Sequence, residues 1–265
     1  MSTQKISIRG VPETMLQTLY ARARETRTGR GYIQDPKAVE LVSRMDYDFS
    51  KAHKDKAMRT GVVARTILLD RMTEDFLSVH PGTAVINIAC GLDTRCYRMA
   101  GTYARWYNLD LPETMAVRSL FLSSTDTVRQ IACSAMDPAW TKEIEPHRGP
   151  VLVIIEGLTM YLHQQDVQEI FRLLSLTFSA ATVFAEVMNP FVVSHMKEKS
   201  IEGSAAKFTW GVRTGAELQA LVPPFRAIRE HSLTEGMQVF MPVYKLLGKI
   251  PMVRNISNKI IVLEK

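Results

Sequence analysis

The stretch VINIACGLDTRCYRMAG, residues 85–101, is where this 265-residue chain declares its architecture. Residues 85–89 read as a short strand with apolar residues on both faces. The run stops at Cys90-Gly91, where a residue without a Cβ lets a ligand approach the backbone. The spacing G-x-G-x-x-G of a dinucleotide-binding turn is absent. Outward from this stretch, β-branched and apolar runs recur at 84–89, 104–109, 127–134, 151–155, 182–187, 225–232 and 259–263. Helical periodicity at 112–122, 164–178 and 215–221 separates most of them. Strands alternating with helices predict an α/β fold around a Rossmann-like sheet, mostly parallel and seven-stranded. Residues 13–26, 36–45 and 61–79 carry apolar residues at three- and four-residue spacing, as helices do. The expected organisation is a helical cap over 1–80 and a Rossmann-like domain over 81–265, with a lid inserted at about 189–213.

A chain with 46% hydrophobic and 23% charged residues buries a full core, which argues against disorder. The formal charge of +6 arises from Lys and Arg interleaved with Asp and Glu, as on solvated helix faces, and this argues against nucleic acid. No apolar run approaches the roughly 18 residues of a membrane span, and no apolar leader is evident. Cys90, Cys96 and Cys133 have neither zinc-ligand spacing nor an even count, and the six histidines are scattered. The expectation is a cytoplasmic protein, monomeric or homodimeric, without metal, nucleic acid or membrane as partner.

In an open α/β sheet, ligands bind beyond the carboxyl ends of the strands near the switch point, so the residues at those ends carry the functional information. The second strand ends at Asp110-Leu111, nineteen residues after Gly91, about where a Rossmann-type fold carries its ribose-binding carboxylate. Asp137, in CSAMDPAW, stands where it could accept a hydrogen bond from an adenine amine. Glu156-Gly157 closes VLVIIEG. Asp110 and Asp137 also read as helix N-caps, whereas Glu156, directly after five apolar residues, is awkward to desolvate without a partner. The turn Gly91-Leu92-Asp93-Thr94-Arg95 has one glycine and an acid where a pyrophosphate would lie. A nucleoside bearing a cationic sulfonium and an amino-acid tail suits it better than NAD, and S-adenosylmethionine is such a ligand.

The segments INIACGLDTRCYRM, WYNLDLPETMAVR and LVIIEGLTMYL, in that order, resemble the leucine carboxyl methyltransferase and polyketide O-methyltransferase family of class I methyltransferases. The likeness extends to LYARARET, DPKAVELVSRMDYDFSK and VARTILLDRM upstream, and to FAEVMNPF and FTWGVRTGAELQAL downstream. The resemblance implies S-adenosylmethionine as cofactor and S-adenosylhomocysteine as product. It gives Arg65 the methionine carboxylate, Gly91 the amino-acid portion, and Asp110 with Leu111 the ribose. Met136 and Asp137 fall where adenine is held, and Glu156 and Gly157 form the floor. Ala89-Cys90 departs from the more usual Gly-Cys or Gly-Ala pair, and His163 stands where Thr or Pro is common.

Transfer of a sulfonium methyl needs an acceptor held in line. A carboxylate arrives ionised, whereas a phenol with pKa near about 10 benefits from a base. Tyr161 is the candidate for orienting the acceptor, and His163 or His195 the candidate base, each with a solvated or core position as its plain alternative. Tyr20, Arg22, Arg24, Phe208 and Trp210 are candidate pocket residues of the cap and lid, and an aromatic wall beside an arginine suits a small aromatic or polyketide-like hydroxyl or carboxylate. An NAD-linked oxidoreductase, a non-catalytic S-adenosylmethionine-binding partner and a protein C-terminal carboxyl methyltransferase remain as alternatives.

Overall fold

The computed structural model describes residues 3–6, 10–195 and 207–265. The central sheet comprises β1 (Ala84–Ile88), β2 (Arg105–Asp110), β3 (Val128–Ala132), β4 (Val151–Ile155), β5 (Thr182–Val187), β6 (Arg226–Ser232) and β7 (Lys259–Glu264). Their spatial order is β3-β2-β1-β4-β5-β7-β6. All neighbouring pairs are parallel except those made by β7, which runs antiparallel to both β5 and β6. The sequence expectation for this sheet holds, with strand ends displaced by at most two residues. Chain order reverses between β1 and β4, so the crevice beyond their carboxyl ends is the switch point. Ile88 is paired with both Leu109 and Ile155. The turn after β1 therefore emerges level with Asp110 and Glu156.

The central strands read as near-continuous apolar runs because both faces are covered. Ile86, Ile88, Leu109, Val153 and Ile155 pack with Phe171 and Leu174 of α5 (Gln164–Thr177) on one face. Val85, Trp106, Leu152 and Ile154 pack with Leu68, Leu69 and Met72 of α3 (Lys56–Val79) on the other. The C-terminal half of α3 thus belongs to the sheet's own covering layer, and packing continues across the boundary expected at residue 80.

The N-terminal helices outside that layer include α1 (Thr14–Arg27) and α2 (Pro36–Arg44), with the first turns of α3. Asp35 caps α2 by accepting the Ala38 N–H at 2.9 Å, and Asp55 caps α3 by accepting that of Met58 at 2.8 Å. Met15, Leu16 and Leu19 of α1 share a buried cluster with Leu92 in the turn after β1 and with Leu122 beyond α4 (Pro112–Ser119). Between β6 and β7 lie three helical segments that the sequence periodicity does not announce: α7 (Thr234–Phe240), Tyr244–Leu247 and Pro251–Ile256. α6 (Gly215–Leu221) matches its expected bounds. Residues 196–206 of the expected lid lie outside the described residues. No helix among the described residues is long and apolar enough to cross a membrane.

Candidate active site

A cavity of about 340 Å³ opens where the cap meets the carboxyl ends of β1, β2 and β4. Of the candidate residues, it brings together Arg22, Arg65, Gly91, Asp110, Leu111, Met136, Glu156, Gly157, Tyr161 and Phe208. Asp110 faces it with its carboxylate already oriented, Oδ2 accepting the Gly91 N–H and Oδ1 the Leu111 N–H, each at 2.7 Å. A carboxylate offers about four lone-pair sites, so beside these two N–H groups and the neighbouring Thr114 hydroxyl it keeps capacity for a ligand donor. Burial pushes the Asp110 carboxyl upward from its ordinary value, and the Gly91 and Leu111 N–H groups oppose that shift.

Gly91 holds a left-handed φ of 48°, and a Cβ placed on it would lie 2.9 Å from the Met15 Cβ. The glycine is therefore required by the close passage of α1 as well as by the turn. Ala89, two residues earlier, also has positive φ, at 54°. This left-handed conformation explains why glycine suits the position, and alanine there costs about 1–2 kcal/mol.

The acids and arginines form one ladder. Arg22 pairs with Asp35 at 3.0 Å, Asp35 with Arg98 at 2.8 Å, Arg98 with Asp70 at 2.7 Å and Asp70 with Arg95 at 2.7 Å. Arg95 pairs with Glu156 at 3.0 Å, Glu156 with Arg65 at 2.8 Å and Arg65 with Glu186 at 3.0 Å. Arg95 also holds Asp93 at 2.8 Å. This network balances the Asp93 charge, so repulsion of a pyrophosphate by a bare acid, the sequence argument against NAD, is not what the turn provides. Glu186 is wholly buried, its oxygens accepting from Arg65, from the Gly157 N–H at 2.8 Å and from Asn258 Nδ2 at 2.9 Å.

Burial pushes the Asp70 and Asp93 carboxyls up, but the neighbouring arginines outweigh it, leaving both below the ordinary carboxylate range. A carboxyl with a depressed folded pKa contributes stability above its unfolded value, near about 4, and loses it as pH falls towards the folded value. The Tm is therefore expected to drop on acidification below about pH 4, and to drop less steeply in Asp70→Asn. Parallel Tm–pH curves for the two proteins would remove Asp70 from the acid response.

Six of the residues singled out in the sequence, Arg24 among them, fall outside that lining, and the local geometry shows why. Asp137 does not line the cavity; its carboxylate accepts the Ala139 N–H at 2.8 Å and caps a 3-10 turn, the plain reading of an acid before proline. His163 is likewise outside, at the N-cap position of α5 with its own N–H on Asp166 Oδ2 at 3.0 Å. Tyr20 lies beyond the arc of α1 occupied by the cavity-lining Thr14, Gln17, Thr18 and Arg22. It stacks on Phe49 at 5.1 Å, with its hydroxyl 2.7 Å from His53 Nδ1. Trp210 packs against the sheet core. His195 is outside too, its ring stacked on Phe191.

Arg22 reaches the cavity but is 3% exposed, and it is held by Asp35 and, at 2.8 Å, by the Leu92 carbonyl. Arg24, on the same helix, bonds His53 Nδ1 at 3.0 Å. Tyr161 and Phe208 do meet, at 5.4 Å between ring centroids. Sequence reasoning missed Arg95, Arg98, Asp70, Asp35 and Glu186. Glu186 carried a signal, since a carboxylate inside the apolar run VFAEVM needs a partner for the reason already applied to Glu156.

Comparison with known proteins agrees with this geometry. The chain is 33% identical over 249 residues to the tetracenomycin polyketide synthesis O-methyltransferase TcmP of Streptomyces glaucescens, covering 92% of each chain. It is 29% identical over 241 residues to the S-adenosyl-L-methionine-dependent methyltransferase dpfgK of Gibberella zeae, covering 83% of this chain and 81% of that one. An S-adenosylmethionine-dependent methyltransferase from Anabaena variabilis shares the fold, with a TM-score of 0.51, 11% identity and coverage of 77% and 84%. The family model for leucine carboxyl methyltransferase matches residues 15–175, more than half of the chain. With the 3-2-1-4-5-7-6 sheet and the strand-end cavity, this shows that the chain belongs to the leucine carboxyl methyltransferase family and is an S-adenosylmethionine-dependent methyltransferase.

Proposed function

We propose that the protein is an O-methyltransferase that transfers the methyl group to a hydroxyl or carboxylate of a small aromatic or polyketide-like molecule. One observation carries this reading: a single cavity reaches from the strand-end carboxylate Asp110 to the aromatic pair Tyr161 and Phe208 beneath the cap. It thus has a nucleoside end and an aromatic end. The similarity to a polyketide synthesis O-methyltransferase supports oxygen as the accepting atom.

In this reading Asp110 accepts from the ribose hydroxyls through its remaining lone pairs, and Met136, 37% exposed, offers an apolar surface to adenine. Gly91 and Gly157 keep the turn low under the amino-acid portion. Arg65 lines the cavity with its guanidinium fixed by Glu156 through Nε and by Glu186 through Nη1, which aims a rigid cation for the methionine carboxylate. When bound, the cofactor supplies an electrophilic sulfonium methyl.

The chain's part is to orient the acceptor oxygen with Tyr161 and Phe208 and to exclude water with the cap, with segments 189–195 and 207–213 as the described parts of the lid. Since His163 stands outside the cavity, the acceptor arrives ionised or releases its proton to water. A panel of phenols and aromatic acids incubated with methyl-labelled S-adenosylmethionine should yield labelled ethers or esters, distinguished by alkaline lability. Transfer should survive EDTA. Label appearing only on nitrogen, carbon or protein would contradict the proposal, and strict dependence on added Mg²⁺ would overturn the metal-free mouth.

A further inference from the structure

We propose that Gln17 reads a free hydroxyl on the methyl acceptor, additional to the oxygen that is methylated. This rests on the O-methyltransferase reading and narrows its substrate class. Gln17 lines the cavity from α1 and is 2% exposed, yet its carbonyl oxygen Oε1 has no hydrogen-bond partner among the described residues. A buried acceptor left unpaired is costly, and a ligand that brings a donor removes the cost.

No donor among the described residues is bonded to that oxygen, and the arginines lining the cavity, Arg22 and Arg65, are engaged elsewhere by Asp35 and by Glu156 and Glu186. α3 packs on α1 and brings Met58, Gly61 and Val62 to the same cavity, an apolar stretch that ends at Arg65. Thr18, beside Gln17 and also lining, spends its proton on the Met15 carbonyl at 3.0 Å and so faces a ligand only as an acceptor. Acceptor oxygens on two consecutive lining residues favour a donor on the ligand, and a hydroxyl is the donor an aromatic acceptor carries.

The position on the helix separates this role from cofactor binding. Met15 covers Gly91, the turn assigned to the cofactor. Gln17 follows two residues later, roughly 200° further round the helix, and is turned away from that turn.

The test uses the full chain loaded with S-adenosylhomocysteine, titrated calorimetrically with 1-naphthol and with the dihydroxynaphthalene isomers, and in parallel with 2-naphthoic acid and its hydroxy derivatives. At least one hydroxylated compound should bind about tenfold or more tighter than its parent. Gln17→Leu should reduce that preference to within about twofold while leaving S-adenosylhomocysteine affinity unchanged. Gln17→Met is the second variant should the first fold poorly, and in ligand-free protein either should hold or raise Tm because the unpaired oxygen is gone. A preference that persists in both variants, a variant that weakens S-adenosylhomocysteine instead, or a lowered Tm in both would overturn the role of Gln17. Binding of parents and hydroxylated compounds with equal affinity overturns the inference alone. Binding of none of them overturns the aromatic-acceptor reading and the inference with it.

Discussion

Arg95→Met should cost the folded protein about 3–5 kcal/mol, the largest single loss expected of any side chain in the site. Arg95 is 1% exposed and its guanidinium serves three carboxylates: Asp70 through Nε at 2.7 Å, Asp93 through Nη1 at 2.8 Å and Glu156 through Nη2 at 3.0 Å. Methionine approximates its stem without the charge. The three acids are then left in a low-dielectric setting with fewer cations, and the cost comes from those stranded charges more than from the attraction lost. A fall in Tm on the order of 10 °C is the expected readout. Arg95→Lys should recover only part of it, because one ammonium cannot face three carboxylates in the planar fork. A Tm within about 2 °C of wild type for the methionine variant would mean that the acids reorganise or protonate without strain.

Gly91→Val should destabilise the fold by about 2–4 kcal/mol and abolish detectable S-adenosylhomocysteine binding. Two costs coincide at this position. The backbone is left-handed, which a β-branched residue tolerates poorly, and the new Cβ would sit 2.9 Å from the Met15 Cβ. Because the contact is to a Cβ, Met15→Ala cannot relieve it, and only displacement of α1 or of the turn can. Either movement separates the Gly91 N–H from Asp110, and the carboxylate loses one of the two donors that aim it. Calorimetry and thermal melts on Gly91→Ala and Gly91→Val should show a graded loss. Unimpaired binding in the valine variant would show that the turn tolerates the shift and is not the seat of the cofactor.

Much of the fold was legible because its signals are local. Strands buried on both faces must be continuous apolar runs, and 151–155 and 182–187 coincide with observed strands residue for residue. The helical segments between β6 and β7 were not legible. They are short, and residues 241–256 contain two prolines and a glycine, which read as loop.

The site divides along a similar line. Asp110, Glu156 and Gly157 follow from strand ends, which the sheet brings together whatever the side chains do. The ladder through Asp35, Asp70, Arg95 and Arg98 joins the N-cap of α2 and the C-terminal half of α3 to the turn after β1, and such pairings have no sequence period. Asp137 and His163 lie outside the cavity lining because an acid before proline and a residue opening α5 satisfy local backbone needs first. Tyr20 lies off the lining arc through helix phase, since being in a lining helix does not place every side chain on its lining face.

The most direct test of the account is titration of S-adenosylhomocysteine into wild-type protein and into Asp110→Asn, with adenosine as a second ligand. Asparagine keeps the size of the side chain and one acceptor but removes the charge that strengthens bonds from the ribose hydroxyls. The account predicts micromolar binding of S-adenosylhomocysteine to wild type and a loss of about 1–3 kcal/mol in the variant, roughly ten- to a hundred-fold, shared by adenosine because the lost contact is to the ribose. Equal affinity of wild type and Asp110→Asn for both ligands would contradict it.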